Sequence, residues 1–231
     1  MTLGVVGGMG AHATARFYDL LIAKQTVARE QDYMDVLVYS KSSIPDRTAF
    51  ILGHSEDNPL PAIKHAIQVL RNAGCGCIAV PCVTSHYFWD ALDHVENVPI
   101  LHMPDITAQF IQRRGLTRVG LLATTGTVHG RFFHDALARY QVELLVPDDQ
   151  AQARLMDYIY AIKTGNTVDA QCLHDISTHL QTRGAQAIIL GCTELYANNN
   201  ANNIFYIDAM DLLAQAALDY CKKDERCGQH T

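Results

Sequence analysis

Two stretches of the sequence, GCGCIAVPC (residues 74–82) and GAQAIILGC (residues 184–192), share one plan. In each, a glycine precedes a cysteine by eight positions, and an apolar run lies between them. Before the first glycine, Ile63, Ala66, Ile67 and Leu70 recur with the spacing of one helix face. A helix that ends at glycine and leads into a short buried strand is typical of α/β proteins. The two stretches therefore predict two α/β lobes related by internal duplication, each with a strand that ends at a cysteine.

The rest of the chain alternates strand-like and helix-like segments, which indicates parallel sheets flanked by helices. Strands are predicted at residues 3–6, 36–39, 77–80, 118–123 and 187–190. The main helices are predicted at residues 13–29, 62–72, 131–140 and 212–220, with a polar turn at 124–127 and a frayed tail from 222 to 231. We expect residues 1–102 and 208–231 to form the first lobe and residues 103–207 the second, with the active site in the cleft between them.

The composition excludes several classes of function. The 231 residues are 48% hydrophobic and 18% charged, which is enough apolar material for a buried core. A formal net charge of −6 argues against a nucleic-acid surface or an anionic membrane partner. There is no apolar run of transmembrane length, and the N-terminus lacks the basic region of a signal peptide. Seven cysteines, an odd number set mostly in apolar runs, favour a reducing compartment, so a cytoplasmic protein is expected.

The two strand-end cysteines are the candidate catalytic residues. Ligands of parallel sheets bind beyond the carboxyl ends of the strands, where Cys82 and Cys192 are predicted to lie. Two facing lobes would place these thiols on opposite sides of one cleft. Such a pair suits inversion at an acidic carbon, because one thiolate removes a proton and the other thiol returns one to the opposite face. The alternative is that both are packed core cysteines.

Two cofactor hypotheses are weaker. Gly8-x-Gly10-x-x-Ala13 fits a dinucleotide fingerprint, but the second predicted strand does not end in the acidic residue that such a site uses. Cys75, Cys77, Cys82 and His86 suggest zinc, yet their spacing does not match paired metal ligands, so packing explains Cys75 and Cys77 better. Neither a metal nor a cofactor is therefore expected. A nucleotide-dependent oxidoreductase stays as a rival that a dinucleotide titration would detect.

Six motifs in order identify a family resemblance. They are GGMGxxAT (7–14), IPDRT (44–48), PCxTxH (81–86), LATTGT (122–127), KxGN (163–166) and GCTE (191–194). With them the chain resembles the cofactor-independent aspartate/glutamate racemase superfamily, and its aspartate racemase branch most closely. The glutamate branch usually carries His after Gly-Cys-Thr, where this chain has Glu194.

The resemblance implies a racemase that interconverts L- and D-aspartate without pyridoxal phosphate and forms a homodimer. By position, Cys82 and Cys192 are the two acid/bases, and Arg47 and Lys163 hold the side-chain carboxylate of the amino-acid substrate. The residues that the resemblance places around the α-carboxylate are Val83, Thr84, Ser85 and Thr193. Two cations at one end of a cleft would select a dicarboxylic acid.

One position departs from the family pattern. The residue after the first cysteine is usually Asn, and here it is Val83. This leaves two alternatives open beside aspartate racemisation. The first is a racemase or isomerase of the same fold that acts on another acid, such as glutamate, and the second is a catalytically idle amino-acid-binding protein. His86 and Glu194 are further candidates, as neighbours that could tune Cys82 and Cys192.

Overall fold

A computed structural model describes residues 1–92, 98–195 and 204–227 of the chain, with side chains described up to residue 222. Within these ranges the strands are Leu3–Gly7 (β1), Val36–Ser40 (β2), Cys77–Ala79 (β3), Arg118–Leu122 (β4), Glu143–Leu145 (β5), Ile188–Leu190 (β6) and Tyr206–Asp208 (β7). The α-helices are Ala11–Ala23 (α1), Arg47–Ile51 (α2), Leu60–Asn72 (α3), Trp89–Leu92 (α4), Met103–Arg113 (α5), Thr125–His129 (α6), Phe132–Ala138 (α7), Asp149–Lys163 (α8), Gln171–Thr182 (α9) and Ala209–Cys227 (α10). Two 3₁₀ helices cover Glu30–Asp32 and Val83–Phe88.

The strands form two parallel sheets with matching topology. The first sheet has the order β2-β1-β3 and the second the order β5-β4-β6-β7. The second sheet has a fourth strand, β7, beside β6. At the equivalent place in the first sheet, beside β3, Ile78 forms a parallel bridge with Ile100. The two-lobed α/β prediction is therefore confirmed.

The turns that lead into β3 and β6 have the same backbone geometry. Gly74 and Gly184 follow α3 and α9 and have φ angles of +88° and +98°, a region that disfavours side chains. The N–H of the next residue then donates to the carbonyl five residues back, Cys75 to Leu70 and Ala185 to Leu180, each over 3.1 Å. This pattern closes a helix and reverses the chain into the strand. It explains why the two stretches quoted above share glycine and cysteine at one spacing.

The last helix crosses to the first sheet. Helix α10 packs against α1 and β3, and it also packs against α5. Arg16 of α1 pairs with Asp208, the last residue of β7 before α10 begins, and Lys24 Nζ lies 2.9 Å from Asp211 of α10. The contacts with α1 and β3 agree with the proposed division into residues 1–102 with 208–231 and residues 103–207, while the contact with α5 connects α10 to the second lobe as well.

Some predicted boundaries were wrong. Helix α1 ends at Ala23, with Lys24 as its C-cap, rather than continuing to residue 29. The predicted polar turn at 124–127 is the beginning of α6, where the Thr124 side chain accepts a hydrogen bond from the Thr127 N–H. The tail predicted to fray from residue 222 is helical through Cys227, and residues 228–231 lie outside the described part of the chain. Over the described residues, none of the helices combines the length and apolar character needed to span a bilayer.

Candidate active site

A narrow cleft is lined by residues from both halves of the chain. The first half contributes Met9, Asp46, Arg47, Thr48, Cys82, Val83 and Thr84, and the second half contributes Lys163, Cys192, Thr193 and Glu194. Both candidate cysteines thus line one cleft, at the carboxyl ends of β3 and β6.

Cys82 is held by the chain turn that follows β3. Its backbone N–H donates to the Val80 carbonyl over 2.8 Å, and its own carbonyl accepts from the Ser85 N–H over 3.1 Å. Cys82 is the N-cap of the 3₁₀ helix Val83–Phe88 and is 5% exposed. The backbone of Cys82 is therefore fixed at the start of a short helix, and its side chain lies, almost fully buried, in the wall of the cleft.

Cys192 has an acidic neighbour. Its Sγ donates a hydrogen bond of 3.0 Å to Glu194 Oε2, and the Thr193 hydroxyl lies 3.4 Å from the same oxygen. Burial and the negative charge of Glu194 raise the pKa of Cys192 well above that of a free thiol, despite the opposing effect of Lys163. Cys192 is therefore a protonated thiol at neutral pH.

The first cation of the cleft is Arg47, at the first position of α2. The Asp46 carboxylate caps this helix by accepting from the Ala49 N–H over 3.0 Å. Arg47 is buried, and its Nη1 donates to the carbonyls of Ile44 and Pro45 at 3.3 and 2.9 Å. Its Nε is buried with no hydrogen-bond partner among the described residues. The guanidinium is thus fixed on one edge and keeps a donor for a ligand.

Lys163, the second cation, ends α8 in the other half of the chain. Burial acts to lower its pKa, but acidic groups of the cleft, chiefly Cys192 and Glu194, raise it above its ordinary value. The ammonium lies 5.3 Å from the centre of the Tyr160 ring, and the Tyr160 hydroxyl lies 3.4 Å from Asp46 Oδ2. Burial acts to raise the pKa of Asp46, but the Ala49 N–H and the charge of Lys163 hold it below its ordinary value. Two fixed positive charges therefore border the cleft.

Hydroxyl groups join the two halves beside the first cysteine. Thr84 Oγ1 lies 3.2 Å from Thr124 Oγ1 and 3.1 Å from Thr127 Oγ1, and the last two lie 3.0 Å apart. Thr84 also lines the cleft, so its hydroxyl is supported from behind by α6 of the second lobe.

The other predicted substrate contacts have different surroundings. Val83 lines the cleft and is also part of the largest apolar core, with 2% of its surface exposed. Ser85 is buried and its hydroxyl donates to Met9 Sδ over 3.3 Å, so it supports the cleft wall rather than lining the space. Thr193 lines the space beside Glu194.

Sequence reasoning did not select Met9, Asp46, Thr48, Thr124 or Thr127 as site residues. All five fall inside motifs that were recognised, GGMGxxAT (7–14), IPDRT (44–48) and LATTGT (122–127), but their own side chains were given no role. The signal that could have found Asp46 is its place immediately before a short helix, where Asp is a preferred cap.

The structure also tests the metal hypothesis. Among residues 1–92, 98–195 and 204–222, no three His, Cys, Asp or Glu side chains are grouped to hold a metal ion. Cys75 and Cys77 are buried in the core, as predicted from packing, and burial raises the pKa of Cys77 to about 12. His86 packs with the rings of Trp89 and His102.

The chain is similar to known racemases along most of its length. It is 26% identical over 223 residues to the broad specificity amino-acid racemase RacX of Bacillus subtilis (strain 168), an alignment that covers 94% of this chain and 96% of RacX. The aspartate racemase of Picrophilus torridus superposes with a TM-score of 0.86 at 27% identity, covering 95% of this chain and 93% of that one.

Another relative has a higher sequence identity over a shorter segment, but no activity is known from its name. An uncharacterized protein of Pectobacterium carotovorum subsp. carotovorum is 44% identical over 92 residues, which span 39% of this chain and only 61% of that protein. The family comparison is broader, since residues 6–217 match the sequence pattern of Asp/Glu/hydantoin racemases. The chain therefore belongs to the Asp/Glu/hydantoin racemase family, whose members are isomerases that work without pyridoxal phosphate.

Proposed function

We propose that the protein interconverts L- and D-aspartate by a two-base proton transfer between Cys82, Cys192 and the α-carbon, with no cofactor. One observation carries the proposal: both cysteines line a single cleft that also holds the cations Arg47 and Lys163. The thiols supply an acid and a base, and the cations supply a site for a second carboxylate.

The reaction conserves atoms and electrons. The thiolate of one cysteine takes the α-proton, so that an S–H bond forms, the C–H bond breaks and the electron pair stays on the substrate. The pair delocalises into the α-carboxylate, where hydroxyl donors such as Thr84 and Thr193 stabilise the growing negative charge. The other cysteine then gives its proton to the opposite face of the α-carbon. The products are the enantiomer and the enzyme with the two protonation states exchanged.

Glu194 assists the half of the cycle in which Cys192 acts as the base. Cys192 is protonated before this half begins, and Glu194 Oε2 lies 3.0 Å from its sulfur. The carboxylate accepts the thiol proton, which leaves Cys192 as the thiolate that removes the α-proton, while Cys82 gives its own proton to the opposite face. The proton on Glu194 then returns by way of solvent to the Cys82 thiolate, which restores both thiols. In the opposite direction Cys192 already carries the proton that the substrate needs.

Selection of aspartate rests on the two cations and their burial. Arg47 presents a guanidinium edge with a buried, unused Nε donor, and Lys163 adds a point charge. Paired positive charges in a small cleft favour a substrate with a second carboxylate on a short side chain.

A second candidate is racemisation of another amino acid, glutamate or a broader set. Val83 favours this second candidate, because the position after the first cysteine is usually occupied by asparagine in the aspartate/glutamate racemases and has an apolar side chain here. The likeness to RacX, which is named a broad specificity racemase, points the same way.

The deciding experiment is a screen of L-amino acids in D₂O with the purified protein and no added cofactor. Deuterium uptake at the α-carbon of aspartate, together with formation of D-aspartate, is the expected result, and a Cys82→Ser/Cys192→Ser double variant is the matched blank. Exchange with another amino acid but not with aspartate selects the second candidate. Binding of aspartate without exchange of any amino acid would leave an idle binding protein.

The proposal extends to the oligomeric state of the protein and its location in the cell. We expect a homodimer in the cytoplasm, from the family resemblance and the cysteine content. Light scattering after size exclusion should give twice the chain mass of 25.6 kDa, and a mass of one chain would contradict the dimer.

A further inference from the structure

A second cavity of about 340 Å³ shares no lining residue with the active-site cleft. Its walls are formed by His86, Tyr87, Trp89, Asp90, His102, Asp105, Gly130, Phe132, Asp135 and Arg139. The volume lies in the range of small-molecule sites. The cavity nevertheless adjoins the cleft through the 3₁₀ helix Val83–Phe88, which presents Val83 and Thr84 to the cleft and His86 and Tyr87 to the cavity.

His86 lines the cavity, and its side chain has a buried hydrogen-bonding atom without a partner among the described residues. The side chain is only 2% exposed, and its Nε2 has no hydrogen-bond partner among the described residues. The imidazole donates to the carbonyl of Val80, and this donor must be Nδ1 because Nε2 is unpartnered. Burial and the nearby His102 lower the pKa of His86 to about 3, so the ring is neutral and Nε2 is an acceptor. A ligand that satisfied this atom would bring an N–H or O–H donor.

Flat rings form the walls around this acceptor. Trp89 stacks on His102 with ring centres 4.0 Å apart, and His86 lies 6.1 Å from Trp89. Tyr87, which is 44% exposed, lies beside them. Phe132, from the second lobe, adds another aromatic ring to the wall of the cavity. Aromatic faces of this kind attract a flat apolar group and a nearby positive charge.

The rim of the cavity is acidic. Arg139 pairs with Asp105, which also lies 2.9 Å from His102 Nδ1, so the positive charge of Arg139 is offset locally. Asp90 and Asp135 add two further carboxylates at exposed positions. The balance of charge around the opening is therefore negative.

We propose that this cavity binds a small organic cation, a protonated amine attached to a flat ring. The ammonium donates to His86 Nε2 and is attracted by Asp90 and Asp135, while the ring packs on Trp89. Three independent features of the wall favour this ligand: the buried acceptor and the excess of carboxylates favour the ammonium group, and the aromatic faces favour the flat ring. The proposal does not rest on the racemase reaction.

The chain offers a built-in probe, because Trp89 is its single tryptophan. Titration of the full-length protein with 2-phenylethylammonium, followed by tryptophan emission, should give a saturable change. The neutral analogue 2-phenylethanol should bind at least about tenfold more weakly, since it lacks the charge-assisted hydrogen bond. Asp90→Asn and Asp135→Asn should each weaken ammonium binding by about two- to fivefold, as expected for exposed charges. Asp19→Asn, an exposed carboxylate on α1, is the matched control and should change nothing.

Several results would overturn the proposal. One is the lack of a saturable change up to about 10 mM ligand, a concentration at which even weak specific sites fill. Another is equal affinity for the ammonium and the alcohol, and a third is equal weakening by Asp19→Asn and Asp135→Asn. A Cys82→Ser/Cys192→Ser variant should bind as the unaltered protein does, so this test succeeds or fails apart from the proposed catalytic function.

Discussion

The turns after β3 and β6 begin alike and end differently. Both follow a left-handed glycine and a parallel strand, and both deliver a cysteine to the cleft. Beyond the cysteine, one turn continues with Val83 and Thr84 and the other with Thr193 and Glu194. Duplication thus accounts for the equivalent placement of two thiols. The divergence gives only Cys192 a carboxylate at 3.0 Å, which favours its protonated form.

This asymmetry is constrained by thermodynamics. Two enantiomers have equal free energies, so the equilibrium constant of racemisation is one, and kcat/KM must be the same in both directions for every variant. A difference between the two turns can therefore appear only in the separate kcat and KM values, in pH profiles and in isotope exchange. Isotope exchange and pH profiles therefore accompany the overall rates in the experiments on the two thiols and on Glu194.

The largest expected effect comes from removing either thiol. Cys82→Ala and Cys192→Ala should each reduce racemisation by at least about 10³-fold, because one face of the α-carbon loses its acid/base. Each variant should still exchange the α-proton of one enantiomer, a different one in each case, because one base remains. Chiral chromatography measures inversion, and mass spectrometry in D₂O measures exchange.

The controls for that pair are the two core cysteines. Cys75→Ala and Cys77→Ala should affect thermal stability rather than turnover, since both side chains are buried away from the cleft lining. Near-normal turnover of either Cys82→Ala or Cys192→Ala would refute the two-base mechanism.

The next effect tests the carboxylate that distinguishes the second turn. Glu194→Gln should lower kcat/KM by about 10²-fold, the typical contribution of a positioned base. A neighbouring anion raises a thiol pKa, so its removal should shift the pKa of Cys192 downward. Alkylation of Cys192 by iodoacetamide, measured against pH with Cys82 replaced by Ser, should then begin at lower pH in the Glu194→Gln protein.

Glu194→Asp serves as the control because it retains the charge. Its alkylation profile should stay close to that of the parent, although the shorter side chain weakens the hydrogen bond to the thiol. An unchanged profile in Glu194→Gln would mean that the carboxylate does not control the protonation of Cys192.

The two cations also come from different halves, and their removal should have the third largest effect. Arg47→Ala or Lys163→Ala should raise KM for aspartate by roughly 10- to 150-fold, the equivalent of a lost charge-assisted hydrogen bond. Arg47 also donates to the carbonyls of Ile44 and Pro45, so Lys163→Met is the cleaner change for folding. The comparison substrate is alanine, which has no side-chain carboxylate, so its slow exchange should fall much less than that of aspartate and only through the effect of Lys163 on the pKa of Cys192. Unchanged aspartate kinetics in both variants would show that these cations do not hold the substrate.

Much of this arrangement is written in local sequence. The glycine turns and the apolar strands β3 and β6 predict where the cysteines lie, because a left-handed turn and a short buried strand are set by nearby residues. The family prediction from the six motifs is confirmed. The assigned roles of Arg47, Lys163 and the two cysteines stay predictions.

What the sequence did not predict depends on tertiary contacts. One missed boundary is instead local, because residues 222–226 (KKDER) are polar but include good helix formers, and α10 continues through them to Cys227. The hydroxyl cluster of Thr84 and Thr127 joins residues 43 positions apart, and no local pattern encodes such a pair. The sequence analysis named Glu194 only as a neighbour that could tune Cys192, and the 3.0 Å contact between Cys192 Sγ and Glu194 Oε2 supports that role.

The smallest expected effect concerns the residue directly after each cysteine, Val83 in the first turn and Thr193 in the second. Val83→Asn makes the first turn polar, as the second is, at nearly constant side-chain volume. If aspartate is the substrate, one restored neutral hydrogen bond worth about 1 kcal/mol should raise kcat/KM roughly fivefold.

Val83 also packs into the main core, with 2% of its surface exposed. The asparagine side chain introduced by Val83→Asn therefore forms a hydrogen bond with the substrate only if its amide turns out of the core toward the cleft. A fall in melting temperature together with lower activity would show that the core contact dominates, and Val83→Thr, which keeps the branched shape, then separates packing from polarity. If another amino acid is the true substrate, aspartate turnover should stay negligible and turnover of that substrate should fall, because Val83 would lose an apolar contact with it. No change with any amino acid, at an unchanged melting temperature, would mean that Val83 does not determine the substrate, and the reason for considering an alternative to aspartate would be weaker.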